Sequence, residues 1–143
     1  MRRILALAAL LGIAAAARAD ERGAALFAQH CAPCHQAAGE GAPGLAPPIA
    51  GTLAGRAGRP VGRAYLAQVL VSGLAGPIVV GGERFSGVMP GFAKLSDEDL
   101  QAVFAHLLGA LNGSADHKVS GEEIAAARRK ALSPNETRRL RDH

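Results

Sequence analysis

Apolar positions follow a helical period over three stretches of the chain, separated by tracts where no period holds. The clearest stretch lies between Ser96 and Gly113. Leu100, Val103, Phe104, Leu107, Leu108 and Leu111 form one stripe; Ser96 with Asp99 three residues on makes a capping-box start, and Asn112-Gly113 stops it. A second helix is predicted from about Glu21 to Cys31, with Leu26, Phe27 and His30 on one side. A third, over 63–74, turns Leu66, Val69 and Leu70 inward and ends at Gly73. Residues 39–51 ("GEGAPGLAPPIAG") and 76–92 read as loops, the latter with room for a short hairpin around a three-residue apolar run. Beyond Gly113 the chain turns polar, with two further helix starts at Ser120 with Glu123 and at Ser133-Pro134-Asn135-Glu136.

The first nineteen residues have a different pattern. Met1-Arg2-Arg3 is a charged start, Ile4–Ala17 is an unbroken apolar run, and Ala17-Arg18-Ala19 is a small-x-small cleavage pattern. As a helix the run would span roughly 21 Å, short of a hydrocarbon core of about 30 Å. The expectation is therefore a cleaved export signal over 1–19, and a mature protein that is not integral to the membrane.

This changes the charge argument. The whole chain carries a net +4, but residues 20–143 hold thirteen Lys/Arg against twelve Asp/Glu. Residues 20–113 have six positive and seven negative charges, and 114–143 seven and five. No basic field of the kind nucleic-acid binding needs is present, and that class is excluded.

The core looks incomplete. The five aromatic residues all precede residue 114, and glycine and proline are frequent between residues 39 and 91. A region of some ninety residues of this composition calls for a large apolar guest or another staple. Folding is accordingly expected to depend on a bound group.

The two cysteines of the chain stand in "CAPCH", Cys31 to His35. A disulfide across so short a loop adds little stability, and a structural zinc site wants a second closely spaced pair of ligands. A thioredoxin-like pair wants a βαβ setting, which the pattern lacks. Cys-x-x-Cys-His is a haem c attachment pattern. Two thiols on one short turn reach neighbouring vinyl groups of one porphyrin, and the adjacent histidine projects beneath the iron. Haem attachment is the favoured reading, and a thiol redox pair is the alternative that remains. Met89, in "GVMPGF", is the one methionine beyond the signal segment. A packing methionine belongs on a helix face, whereas a Gly/Pro loop suits a thioether delivered to iron.

With these residues in hand, the chain resembles the class I cytochromes c over most of 21–111. The first helix matches through Gly23, Phe27, Cys31, Cys34 and His35, the next loop through Pro47 and Ile49 in "APPIAG", and the rest through "GERFSGVMPGFAKLSDEDL" with Phe85 and Met89. The resemblance implies an all-α fold, short helices around one covalently attached haem, with the N- and C-terminal helices of the haem domain crossing near Gly23 and Phe27. It implies His35 and Met89 as iron ligands, Cys31 and Cys34 as thioether anchors, and Pro47, Ile49 and Phe85 as further contacts of the cofactor. The Pro47 carbonyl would receive the second ring nitrogen of His35.

The function implied is one-electron transfer in a bacterial periplasm, with a dehydrogenase as donor and an oxidase or another cytochrome as acceptor. Two alternatives are a haem subunit of a periplasmic dehydrogenase complex and a haem-based gas sensor. One departure is His106, which stands where the family presents an aromatic residue to Gly23 and Phe27. Surface positions are expected for His30, His117 and His143. The domain reading is a signal over 1–19, a haem domain over 20–113 and a polar helical extension over 114–143. The extension is read as a solvated helix pair or as a strap or docking arm. Its polarity leads one to expect that the haem site would survive its removal.

Overall fold

A computed structural model describes residues 20–142. The expected export signal over 1–19 and His143 lie outside the described residues. Helix α1 covers residues 20–30 and is followed by the single turn α2, Ala32–His35. Then come α3 (Ala54–Ala57), α4 (Pro60–Ser72) and α5 (Asp97–Ala105), which runs into a π-helical turn at His106–Ala110. Helices α6 (Gly121–Lys130) and α7 (Pro134–Arg139) complete the set, ending in a 3₁₀ turn at Leu140–Asp142. Four strands of two or three residues, β1 (Leu74–Ala75), β2 (Ile78–Val80), β3 (Glu83–Phe85) and β4 (Val88–Met89), form two antiparallel ladders. The first pairs Leu74 with Met89, the second Ile78 with Phe85. No helix among the described residues is long and apolar enough to cross a membrane.

The apolar stripe of α5 behaves as its sequence dictates. Ser96 accepts from the Asp99 N–H, three acidic residues occupy the first turn, and Leu100, Val103 and Phe104 are buried. Its face meets α1 at Gly23, where a Cβ would lie 2.2 Å from the Ala102 carbonyl oxygen. Only glycine lets the two backbones approach this closely. One turn further along, the Phe27 and His106 rings lie 5.2 Å apart at a tilt of 48°. The crossing expected at Gly23 and Phe27 is present, with imidazole filling the aromatic place.

Two details refine the pattern-based reading. Helix α4 begins at Pro60, three residues before the predicted start, because proline is pre-organised for the first helical position. Asn112 does more than stop a helix. Its amide donates to the carbonyls of Leu107 (2.8 Å) and Ile49 (2.9 Å) and accepts from the Leu53 N–H (2.8 Å). This ties the end of the π turn to the loop before α3.

The expectation that 114–143 brings little apolar surface is corrected. Both helices carry complete capping boxes, at Ser120/Glu123 and Ser133/Glu136. Between those polar caps, Val119, Ile124 and Ala127 join the buried core cluster, and Thr137 is fully buried. Helix α6 lies along α4, and α7 packs on α4 and β1. Arg63 pairs with Glu123 at 3.0 Å, and Gln68 donates to the Ala127 carbonyl. Composition misleads here because a helix as polar as "GEEIAAARRK" needs only one isoleucine and its alanines to bury a face.

Two outcomes follow from this packing. Ile124→Ala removes a fully buried α6 side chain from the core and should cost about 2–5 kcal/mol. A denaturant midpoint equal to that of the parent protein would contradict the tail's place in the core. Gly23→Ala inserts a methyl group against a backbone oxygen and should cost about 1–3 kcal/mol. Equal unfolding curves would mean that α1 and α5 do not cross so closely in solution.

Candidate haem site

Helix α1 delivers the Cys-x-x-Cys-His segment. The Cys31 N–H donates to the Phe27 carbonyl at 2.8 Å, so the chain stays helical past His30. Pro33 falls in the first turn of α2, where its missing N–H costs nothing. The turn puts Cys31 and Cys34 three residues apart, on one side, with Cys31 buried and Cys34 exposed. Gln36, at φ 63°, ends the helix immediately after His35.

The loop after α2 returns to cover the imidazole. Gly41 donates to the His35 carbonyl, Ala42 and Ala46 form a bridge, and Ile49 and Ala50 both donate to the Gly39 carbonyl. The result places the Pro47 carbonyl 2.9 Å from Nδ1 of His35. A carbonyl can only accept, so Nδ1 carries the proton and Nε2 keeps its lone pair. Burial lowers the His35 pKa and the Pro47 bond raises it; burial is the larger cause. The ring is thus held neutral, the form that ligates a metal.

Met89 arrives from the other side of the sequence. Its strand β4 pairs with β1, and the Phe92 N–H donates to the Leu70 carbonyl at 2.7 Å. The arm crosses the end of α4 at Gly73, whose φ is +81° and whose Cβ would lie 2.5 Å from the Met89 carbonyl oxygen. A side chain there would both strain the backbone and push the arm away.

Between these segments lie two adjoining cavities of about 160 and 140 Å³. Cys31, His35, Pro47, Leu74, Ile78 and Met89 line both, so they are two halves of one slot. Cys34 and Phe85 line the first half and Ile49 the second. Every site residue singled out from the sequence therefore stands around one space.

The donor set and the walls fit a haem. A neutral imidazole and a thioether are its usual axial partners, two adjacent thiols suit its vinyl edge, and most of the lining is apolar. The second half also holds two cations, Arg56 and Arg141, which suit the porphyrin's carboxylates. Arg56 donates to the Arg141 carbonyl at 2.8 Å and lies over the Tyr65 ring, 4.9 Å from its centroid. Arg141 donates to the Val79 carbonyl at 3.0 Å.

Cys31 is poorly suited to act as a redox nucleophile. Burial, with the neighbouring Cys34 adding to it, pushes the Cys31 thiol up to about 11. A thiol oxidoreductase needs a depressed pKa so that the nucleophilic thiolate is present near neutrality.

Sequence reasoning misses Arg56, Tyr65, Leu74, Ile78 and Arg141. The arginines have no motif to mark them. The helical period turns Leu66, Val69 and Leu70 inward, and what they face is the slot. His30 departs from its expected surface position: it is half-buried, lines the first cavity and tilts against Phe92 at 5.8 Å. His106 lines neither cavity. Its Nδ1 is 4.0 Å from the Asp20 carboxylate and has no hydrogen-bond partner among the described residues. His117 is exposed.

Comparison with known proteins gives the family. Residues 21–110 match the family model for cytochrome c. A cytochrome c-552 of Thermus thermophilus is 43% identical over 142 residues, covering 95% of this chain and 93% of that protein. A second cytochrome c-552 of the same species is 42% identical over 120 residues, 80% of this chain and 89% of that protein. The chain belongs to the cytochrome c family, electron carriers that hold haem c covalently through cysteines, for which it offers Cys31 and Cys34.

Proposed function

We propose that this electron carrier works in the periplasm, exported by its first nineteen residues, with His35 and Met89 as the two axial ligands of its haem iron. The observation that carries the ligand assignment is the shared slot: both side chains line both of its halves, and the Pro47 bond leaves Nε2 of His35 as the available donor. Haem c supplies a one-electron iron couple. His35 and Met89, held on opposite segments of the slot, would bind the iron in both oxidation states, which would keep reorganisation on electron transfer small. Leu74, Ile78 and Phe85 exclude water, which disfavours the extra positive charge of ferric iron and raises the potential. Arg56 and Arg141 would hold the carboxylates of the cofactor. Cys34 is exposed, and exposed Leu45 and Val88 share its cavity, so the cofactor edge there is the port for redox partner proteins. The partners proposed for it are a dehydrogenase as donor and an oxidase or another cytochrome as acceptor.

Met89→Ala tests the ligand assignment. The variant should keep its covalent haem, lose the long-wavelength thioether charge-transfer absorption of the ferric form, fall in potential, and bind carbon monoxide when reduced. Met89→His should stay six-coordinate and also fall in potential, because imidazole stabilises ferric iron better than a thioether does. An unchanged spectrum and potential in Met89→Ala would overturn the assignment.

A further inference from the structure

We infer that Arg128, on the C-terminal extension, is a positioning residue that clamps the Met89 arm in place. The inference rests on Met89 being an iron ligand. The arm after β4 runs through Pro90 to Leu95 before the Ser96 cap starts α5. Among the described residues, its own backbone bonds are two: Phe92 N–H to the Leu70 carbonyl, and Leu95 N–H to the Phe92 carbonyl. Two of its carbonyls are taken by Arg128. Nη1 donates to Ala93 at 2.6 Å and Nη2 to Leu95 at 2.6 Å, while Nε donates to the Asp97 carboxylate at 2.7 Å. One guanidinium thus closes the arm and the first turn of α5 together.

The chemistry suits arginine and no other side chain. Its planar fork offers donors in fixed directions, and hydrogen bonds from a charged donor are the stronger kind. A lysine ammonium in the same place is a point charge that cannot reproduce the fork. The guanidinium is also well supported. Arg128 sits in the last turn of α6, where a cation is favoured by the helix dipole. Helix α6 buries Ile124 and Ala127 in the core and is tied to α4 by the Arg63–Glu123 pair and the Gln68 amide.

The arm is therefore held at both ends. On the N-terminal side Leu74 pairs with Met89, and Gly91 lies against the end of α4, where a Cβ would be 2.5 Å from the Val71 carbonyl oxygen. On the C-terminal side the holder is Arg128. Any outward swing of the arm that carried Met89 off the iron would break the Arg128 contacts. The extension consequently disfavours the detached state and protects the sixth position from other ligands.

Imidazole titration of the ferric holoprotein measures this directly, since imidazole binds iron only when the thioether leaves. Arg128→Ala should bind imidazole about tenfold more tightly than the parent protein, a shift of about 1.4 kcal/mol. Its thioether charge-transfer absorption should be lost at correspondingly lower imidazole. Arg128→Lys keeps the charge and the packed stem, and should fall between the two; it decides the matter if the alanine variant does not fold. Arg129→Ala removes a neighbouring charge and should match the parent. If Arg128→Lys and any folded Arg128→Ala bind imidazole as the parent does, whatever their melting temperatures, the clamp is refuted while Met89 ligation stands. If the parent lacks the thioether absorption, or Met89→Ala retains it, both the ligand reading and the clamp fall.

Discussion

The hydrogen bond from Nδ1 of His35 to the Pro47 carbonyl is the contact around which the rest of the molecule is arranged. It fixes the ring's tautomer and rotation, and so decides where the second nitrogen and its lone pair stand. For it to form, α2 must end at His35, which the positive φ of Gln36 accomplishes. The loop from Gly39 to Ala50 must then fold back over the imidazole, held by the Ala42–Ala46 bridge and by two N–H groups sharing the Gly39 carbonyl. Burial completes the arrangement by keeping the ring neutral. One wall of the slot is thus built from a single stretch of chain, Cys31 to Ala50.

The opposite wall is assembled from distant residues. Met89 is brought in by a two-residue strand, a close crossing over Gly73 and a hydrogen bond from Phe92 to α4. The C-terminal extension adds to them by packing α6 against α4 and reaching Ala93, Leu95 and Asp97 through Arg128. It also lines the slot through Arg141. The extension thus belongs to the core and to the site at once, and the similarity to a cytochrome c-552 over 95% of the chain runs well into it.

Much of this is legible in the sequence because it rests on local chemistry. The caps at Ser96, Ser120 and Ser133, the stripe of α5, and the Cys31–Cys34–His35 spacing each follow from residues within a few positions of one another. The close approach at Gly23 is legible through family resemblance, as is Pro47. What escapes is long-range. Nothing near Arg56, Arg128 or Arg141 marks the hydrogen-bond acceptors described above, which lie 31 to 85 positions away. The tail's composition hides its role because few apolar side chains suffice when each is fully buried. His30 looks like a surface residue because its burial depends on Phe92, sixty-two residues later.

The most direct measurement is the proton and carbon NMR spectrum of the reduced holoprotein with methyl-labelled methionine. The chain has two methionines, Met1 and Met89, and only Met89 lies among the described residues. A methyl group bound through sulfur to haem iron lies over the porphyrin and is shielded by its ring current. The Met89 methyl is predicted upfield of every other methyl signal, in a diamagnetic spectrum. A diamagnetic reduced protein whose Met89 methyl resonates among ordinary side chains would contradict the account.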